Sequence, residues 1–310
     1  MDKKYFWKNF NLGTELRLSG NFIYNGLKTF NDMHNLDYEE EIFEFLYNIA
    51  VGIERLEKIL IILIEHNNTS NQKEFENSLK NHNHLYLLNR IRKKYSLKLH
   101  DVHIEFIELL SKFYKIFRYD RYKLEEVSVY DKEKQAIQDY ISKHLGIKFE
   151  YIVPPKGKEI NVFIGTIIGK IASELFKTIE QEASQNNLYT YEMRIDSKAD
   201  KIFNRKEFDF SKETILSKEL LIFLMNTKKS SDLIKFIKEL EPLDFDIGLV
   251  AEYIGCFQSD ERKLEHMDEL DSIYDALNNK KERLEFLDAI DDTGFYFEFR
   301  DNMDNSDQVF

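Results

Sequence analysis

The chain has 310 residues, 43% hydrophobic and 32% charged, which is the balance of a folded globular protein and not of a disordered one. Its formal net charge of −12 excludes general adhesion to nucleic acid or anionic membrane by the whole surface, while leaving room for a local basic groove. Eleven glycines and three prolines supply few tight turns, so long helices are favoured over a sandwich or barrel.

The opening segment MDKKYFWKNFNLGTEL has no continuous apolar stretch and is not read as a secretory signal. Leu16, Ile23, Leu27 and Phe30 mark a first helix, with Gly20 and Gly26 as interruptions. Over 39–65, apolar residues fall alternately four and three apart at Ile42, Leu46, Ile49, Ile53, Leu56, Leu60 and Leu63, the stripe of a core helix. Glu39, Glu40 and Glu41 suit its positive N-terminal end. Its run ILIILI (59–64) falls far short of the roughly 20 residues needed to span a bilayer.

A short helix follows through Leu85, Leu88, Ile91 and Tyr95, and a stronger one through Val102, Phe106, Leu109, Phe113 and Phe117. Residues 131–146 give a fifth, opened by Asp131 as N-cap and closed by Gly146. The Pro154, Pro155 and Gly157 break within 148–159 is taken as a domain boundary. Beyond it, Ile160, Ile164, Ile168, Ile171, Leu175 and Ile179 define a long helix, and Gly165 and Gly169, one turn apart, predict close approach of a neighbouring helix. LYTYEMRI (188–195) alternates strictly and predicts a strand; KFEYIV (148–153) and FYFEFR (295–300) share the pattern. Segments 212–226, 230–240, 245–256 and 261–291 read as helices.

KNHNHLYLLNRIRKKY (80–95) is the densest chemical cluster. His82 and His84 are two apart, about 200° around a helix, and cannot share one metal there. Asn81 or Asn83 is the better fit to an N-cap. The basic run Arg90, Arg92, Lys93 and Lys94 reads either as a solvated helix end facing exposed carbonyls or as a phosphate-binding patch flanked by Tyr86 and Tyr95. In FYKIFRYDRYKL (113–124), Arg118 and Arg121 can clamp a phosphate from one helix face, or be neutralised by Asp120, Glu125 and Glu126. Cys256, the sole cysteine, fits a small core residue, and the lack of a disulfide partner reads as intracellular. The acidic stretches 268–277 and 288–294 lack the ligand order of a calcium loop and read as solvated surface.

Three segments together, GIERLEKILIILIE (52–65), NHNHLYLLNRI (81–91) and FIELLSKFYKIFRYDRY (106–122), resemble the HEPN group of helical-bundle proteins over residues 15–145. The resemblance implies a four- or five-helix bundle that often dimerises, found in microbial RNA processing, toxin–antitoxin modules and antiviral defence. Many members are metal-independent RNases built on Arg-x(4–6)-His, where the histidine moves protons and the arginine stabilises charge on phosphate. This chain departs from that motif: seven residues separate Arg92 from His100, three separate Arg262 from His266, and no arginine has a histidine after four to six. Members without the motif act as binding or assembly modules. Residues 147–310 carry no such resemblance.

The expectation is a mainly α protein, with an antiparallel helical bundle over 1–147 and a second largely helical region over 158–310 holding short strands. It is expected to be cytoplasmic and homodimeric, without cofactor, metal or membrane partner, and to associate with RNA or nucleotide or with a protein partner. For a catalytic version the candidates are His84 as acid/base and Arg118 and Arg121 on phosphate, with Arg90, Arg92, Lys93, Lys94 and Tyr122 contacting nucleic acid. One alternative is a non-catalytic acidic protein docking to a basic partner, and another is a metal-dependent hydrolase using the C-terminal carboxylates.

Overall fold

A computed structural model of the chain describes residues 2–67, 71–120, 122–124, 131–149, 156–229 and 231–291. The fold is mainly α, with no strand among the described residues. It divides into two compact units, residues 1–210 and 211–310.

In the first unit, α1 (Lys3–Phe6) and a π-helical turn (Trp7–Asn11) lead into α2 (Leu12–Asp32). Next come α3 (Glu39–Glu65), α4 (Gln72–Ser78), α5 (His84–Arg92) and α6 (Asp101–Lys112). A π-helical turn (Phe113–Phe117) and α7 (Arg118–Asp120) extend α6, and α8 (Lys132–Leu145), α9 (Lys158–Gln185) and α10 (Lys198–Phe203) complete the unit. The apolar stripe of α3 is fully buried from Ile42 to Leu60, and α2, α5, α6, α8 and α9 all pack on it. Burying a Leu or Ile side chain contributes about 1.5–3 kcal/mol, so this one helix carries much of the core.

Four expectations change here. The first helix runs unbroken through Gly20 and Gly26. Gly20 serves packing: a Cβ there would lie 2.6 Å from the Ala199 Cα of α10, so only glycine lets the two backbones meet. Gly165 and Gly169 likewise receive a neighbour, but it is Phe208 of an irregular segment and not a helix. The break at 148–159 does not separate the compact units; α9 follows it and returns to pack on α3 and α6, so the division falls after Phe210.

The fourth change concerns 188–195, which forms turns and no strand. The Tyr189 N–H donates to Asn9 Oδ1 at 2.6 Å, the Thr190 hydroxyl to the Lys8 carbonyl at 3.0 Å, and the Glu192 N–H to the Tyr189 carbonyl at 3.1 Å. The first two bonds tie the segment to the N-terminal turns, the third closes a turn within it, and together they replace a ladder. Most of 148–153 and all of 295–300 lie outside the described residues.

The second unit holds α11 (Ser211–Asn226), α12 (Asp232–Glu239), a 3-10 turn (Ile247–Leu249), α13 (Val250–Cys256), α14 (Asp260–Leu264), α15 (Met267–Ala276) and α16 (Lys280–Asp291). The single helix expected over 261–291 is thus three short ones. Cys256 is half-buried, its thiol donating to the Arg262 carbonyl at 3.4 Å. No described helix is long and apolar enough to cross a membrane.

Candidate functional site

The cluster at 80–95 is built where the N-terminal end of α5 meets the middle of α3 and the C-terminal end of α6. Asn83 sits at the N-cap position without a side-chain cap bond, while Asn81 Oδ1 accepts the Asn83 N–H at 2.8 Å in a local turn. Leu85 N–H donates instead to Ser111 Oγ of α6 at 3.4 Å. This docking sets the two histidines on different neighbours.

His84 is completely buried, and its Nδ1 lies 2.9 Å from Glu57 Oε2, also completely buried. Burial raises the Glu57 carboxyl above its ordinary 4.5, against the pull of the adjacent imidazole. Glu57 Oε1 and His84 Nε2 have no hydrogen-bond partner. In this conformation His84 presents no atom to a ligand at the surface, unlike the acid/base role expected of it. One turn earlier on α3, Glu54 accepts from Lys58 Nζ at 2.7 Å and pairs with His82 Nδ1 at 3.0 Å. Burial opposes the Glu54 charge, but Lys58 and His82 outweigh it and hold the carboxyl below its usual range. His82, unlike His84, is half-exposed, with 50% of its side chain open. The carboxylate at Nδ1 fixes the orientation of the ring.

The His82 ring stacks on Tyr114 with centroids 5.0 Å apart and planes 27° from parallel. Arg118 lies over the same tyrosine, its Cζ 4.0 Å from the ring centroid, and 4.6 Å from that of Tyr119, whose hydroxyl accepts from Arg118 Nη2. Burial is the largest influence on the guanidinium and works against its charge, yet bonds to Tyr114 and Tyr119 hold its pKa above the arginine norm. Among the described residues no carboxylate pairs with Arg118, and its Nε has no partner. Burial also pushes the Tyr114 hydroxyl up, against Arg118. Tyr119 is exposed and Tyr122 is 87% exposed, so aromatic faces continue outward from the arginine. Arg121 lies outside the described residues.

The basic run divides into ties and free ends. Arg90 is buried and clamped to Glu65, with Nε on Oε1 at 3.0 Å and Nη2 on Oε2 at 2.5 Å, and it also donates to the Ser78 carbonyl at 3.2 Å. Lys94 donates to Glu182 of α9 at 2.8 and 2.9 Å, beside the Tyr95 hydroxyl. Both hold helices together, Arg90 enclosed and Lys94 with 45% of its side chain open. Arg92 and Lys93 are exposed, at the C-terminal end of α5. They stand roughly 12 Å along the axis from His84, at 1.5 Å per residue.

Glu54, Glu57 and Tyr114 escaped the sequence reading. The available signal for Glu57 was its register, four after Ile53 and three before Leu60, beside the buried stripe of α3, where a carboxylate must be paired. Among the described residues no group of three or more His, Cys, Asp or Glu side chains converges as metal ligands would. No family model, curated protein or solved structure matches the chain.

Proposed function

We propose that residues 1–210 form a HEPN-like bundle that associates with single-stranded RNA or nucleotide through Arg118, Tyr114, Tyr119, Tyr122 and His82. The observation that carries this reading is Arg118 itself: a guanidinium fixed by two tyrosines and, among the described residues, by no carboxylate keeps its charge available for a phosphate. Tyr119 and Tyr122 supply exposed faces on which bases stack, each base contributing about 1–3 kcal/mol. Lys58, tied to Glu54, and the imidazole of His82 line the inner edge.

The HEPN resemblance places such a protein in prokaryotic antiviral defence or a toxin–antitoxin pair and implies a homodimer. His82 is the histidine at this face, and the buried His84 supports it from within through α3. The test is RNA binding by Arg118→Ala in a chain whose circular dichroism is unchanged. Loss of affinity supports the reading; undiminished binding removes it.

A further inference from the structure

Residues 1–210 carry 32 Lys and Arg against 32 Asp and Glu, but the two signs are not evenly spread. The stretch RKKYSLKLH (92–100) has four cations and no carboxylate, and it runs beside α9. Lys94 Nζ reaches Glu182 at 2.8 Å, and the Lys98 N–H donates to Glu174 Oε2 at 3.1 Å. These two glutamates are eight residues apart on α9, about 12 Å at 1.5 Å per residue, so the stretch follows the helix over that length. From α9 itself, Lys170 pairs with Glu174 at 2.7 Å and the charge of Lys177 reaches the same carboxylate. The N-terminal turns close the Glu182 end. Lys8, half-buried with Nζ on the His66 carbonyl at 2.9 Å, is held below the ordinary lysine range by burial, against the pull of Glu182 and with the push of Lys4.

Eight cations thus stand along a seam with two carboxylates, and counting Asp2 and Asp101 at its ends still leaves a net charge of +4. Arg92, Lys93 and Lys98 are exposed and have no carboxylate partner among the described residues, and Lys94 keeps 45% of its side chain open. The chemistry of the seam selects its ligand. No large apolar side chain is exposed in 92–100 or 170–182, and Tyr95 is half-buried with its hydroxyl on Glu182. A protein partner would find no anchor there, and an unstacked base no open ring. A row of lysine and arginine with neither suits repeated phosphates, which ask for charge and carry no sequence.

We propose that the seam formed by 92–100, α9 and the N-terminal turns holds the phosphate backbone of a nucleic-acid duplex. It is a different place from the Arg118 face: Glu54, beside His82, and His66, beside Lys8, are twelve residues apart on the line of α3, about 18 Å. It does not rest on the Arg118 reading, because a duplex keeps its bases enclosed and offers none to Tyr119 or Tyr122. The probes are two fluorescein-labelled hairpins of unrelated sequence, one RNA and one DNA, titrated with the full chain by fluorescence anisotropy over a series of salt concentrations. The double variant Arg92→Gln, Lys98→Gln alters two exposed positions, and its circular dichroism should match the wild type. The expected result is that both hairpins bind, that the double variant loses about 10-fold in affinity and about two phosphate contacts in salt slope, and that Arg118→Ala binds them as the wild type does. Binding of neither hairpin or of only one, or wild-type affinity and slope in the double variant, overturns the proposal. So does a polyglutamate peptide that displaces the hairpins at equal charge concentration, since an acidic protein would then be the occupant. Loss of hairpin binding in Arg118→Ala alone would assign the phosphates to that face and overturn the seam. Loss in the double variant, with single-stranded RNA binding undiminished in Arg118→Ala, would keep the seam and remove the Arg118 reading.

Discussion

At the scale of single residues, two histidines two positions apart take opposite roles because α3 offers each a glutamate at a different depth. His84 and Glu57 form a sealed pair, and removing one partner from such a pair costs about 3–5 kcal/mol because the other is stranded. His84→Ala should therefore lower the urea midpoint sharply, whereas His82→Ala, at a half-exposed position, should lower it far less. Glu57 also gives a pH signature. A carboxyl raised in the fold binds more protons folded than unfolded, so stability falls as pH rises from 4.5 through the elevated folded value. Glu57→Gln keeps an acceptor for the imidazole and should flatten that limb of the stability profile; an unchanged slope would contradict the assignment. Glu182 works in the opposite direction. Burial opposes its charge, but Lys94 and Tyr95 prevail and lower it, so its contribution is present above 4.5 and is lost as pH falls through the lower folded value.

At the scale of elements, the helices legible in the sequence are those whose own periodicity names their buried face. The stripe of α3 and the isoleucine ladder of α9 could be read directly, since every one of those positions is buried. What could not be read is where a helix goes once formed. The Pro and Gly break precedes α9, yet α9 packs on the same core, and nothing local in its sequence says so. The alternation in 188–195 carries the period of a strand, with no strand among the described residues to pair with. The candidate site depends on the same non-local information: His82 and Tyr114 meet only because α5 and α6 dock through Ser111.

Close packing at element crossings is testable. Gly20→Ala places a methyl against the Ala199 backbone and should destabilise by about 1–3 kcal/mol, read as a lower melting temperature. Arg90→Ala removes the clamp on Glu65, which is a third exposed and so partly screened. The expected loss is about 1–2 kcal/mol with RNA affinity unchanged, since Arg90 faces Glu65 and Ser78 and not the surface.

At the scale of the whole molecule, the net charge of −12 misleads as an average. A charge-balanced bundle carries the half-buried Arg118, and an acidic unit carries all of the excess. The sequence supports the exclusion of general nucleic-acid adhesion but conceals a neutral unit, residues 1–210, in which one arginine can act. Residues 1–210 hold a contiguous buried core of their own, so a chain ending there should fold cooperatively. Freed of the acidic unit, it should bind RNA more tightly than the full chain at low salt, with the difference shrinking as salt is added.

The most direct measurement is fluorescence anisotropy of a labelled single-stranded RNA titrated with the full chain and with Arg118→Ala across a series of salt concentrations. The account predicts that the wild-type chain binds, that the variant loses about 10-fold in affinity, and that its salt slope falls by about one phosphate contact. Equal affinity and equal slope for the two proteins would contradict it.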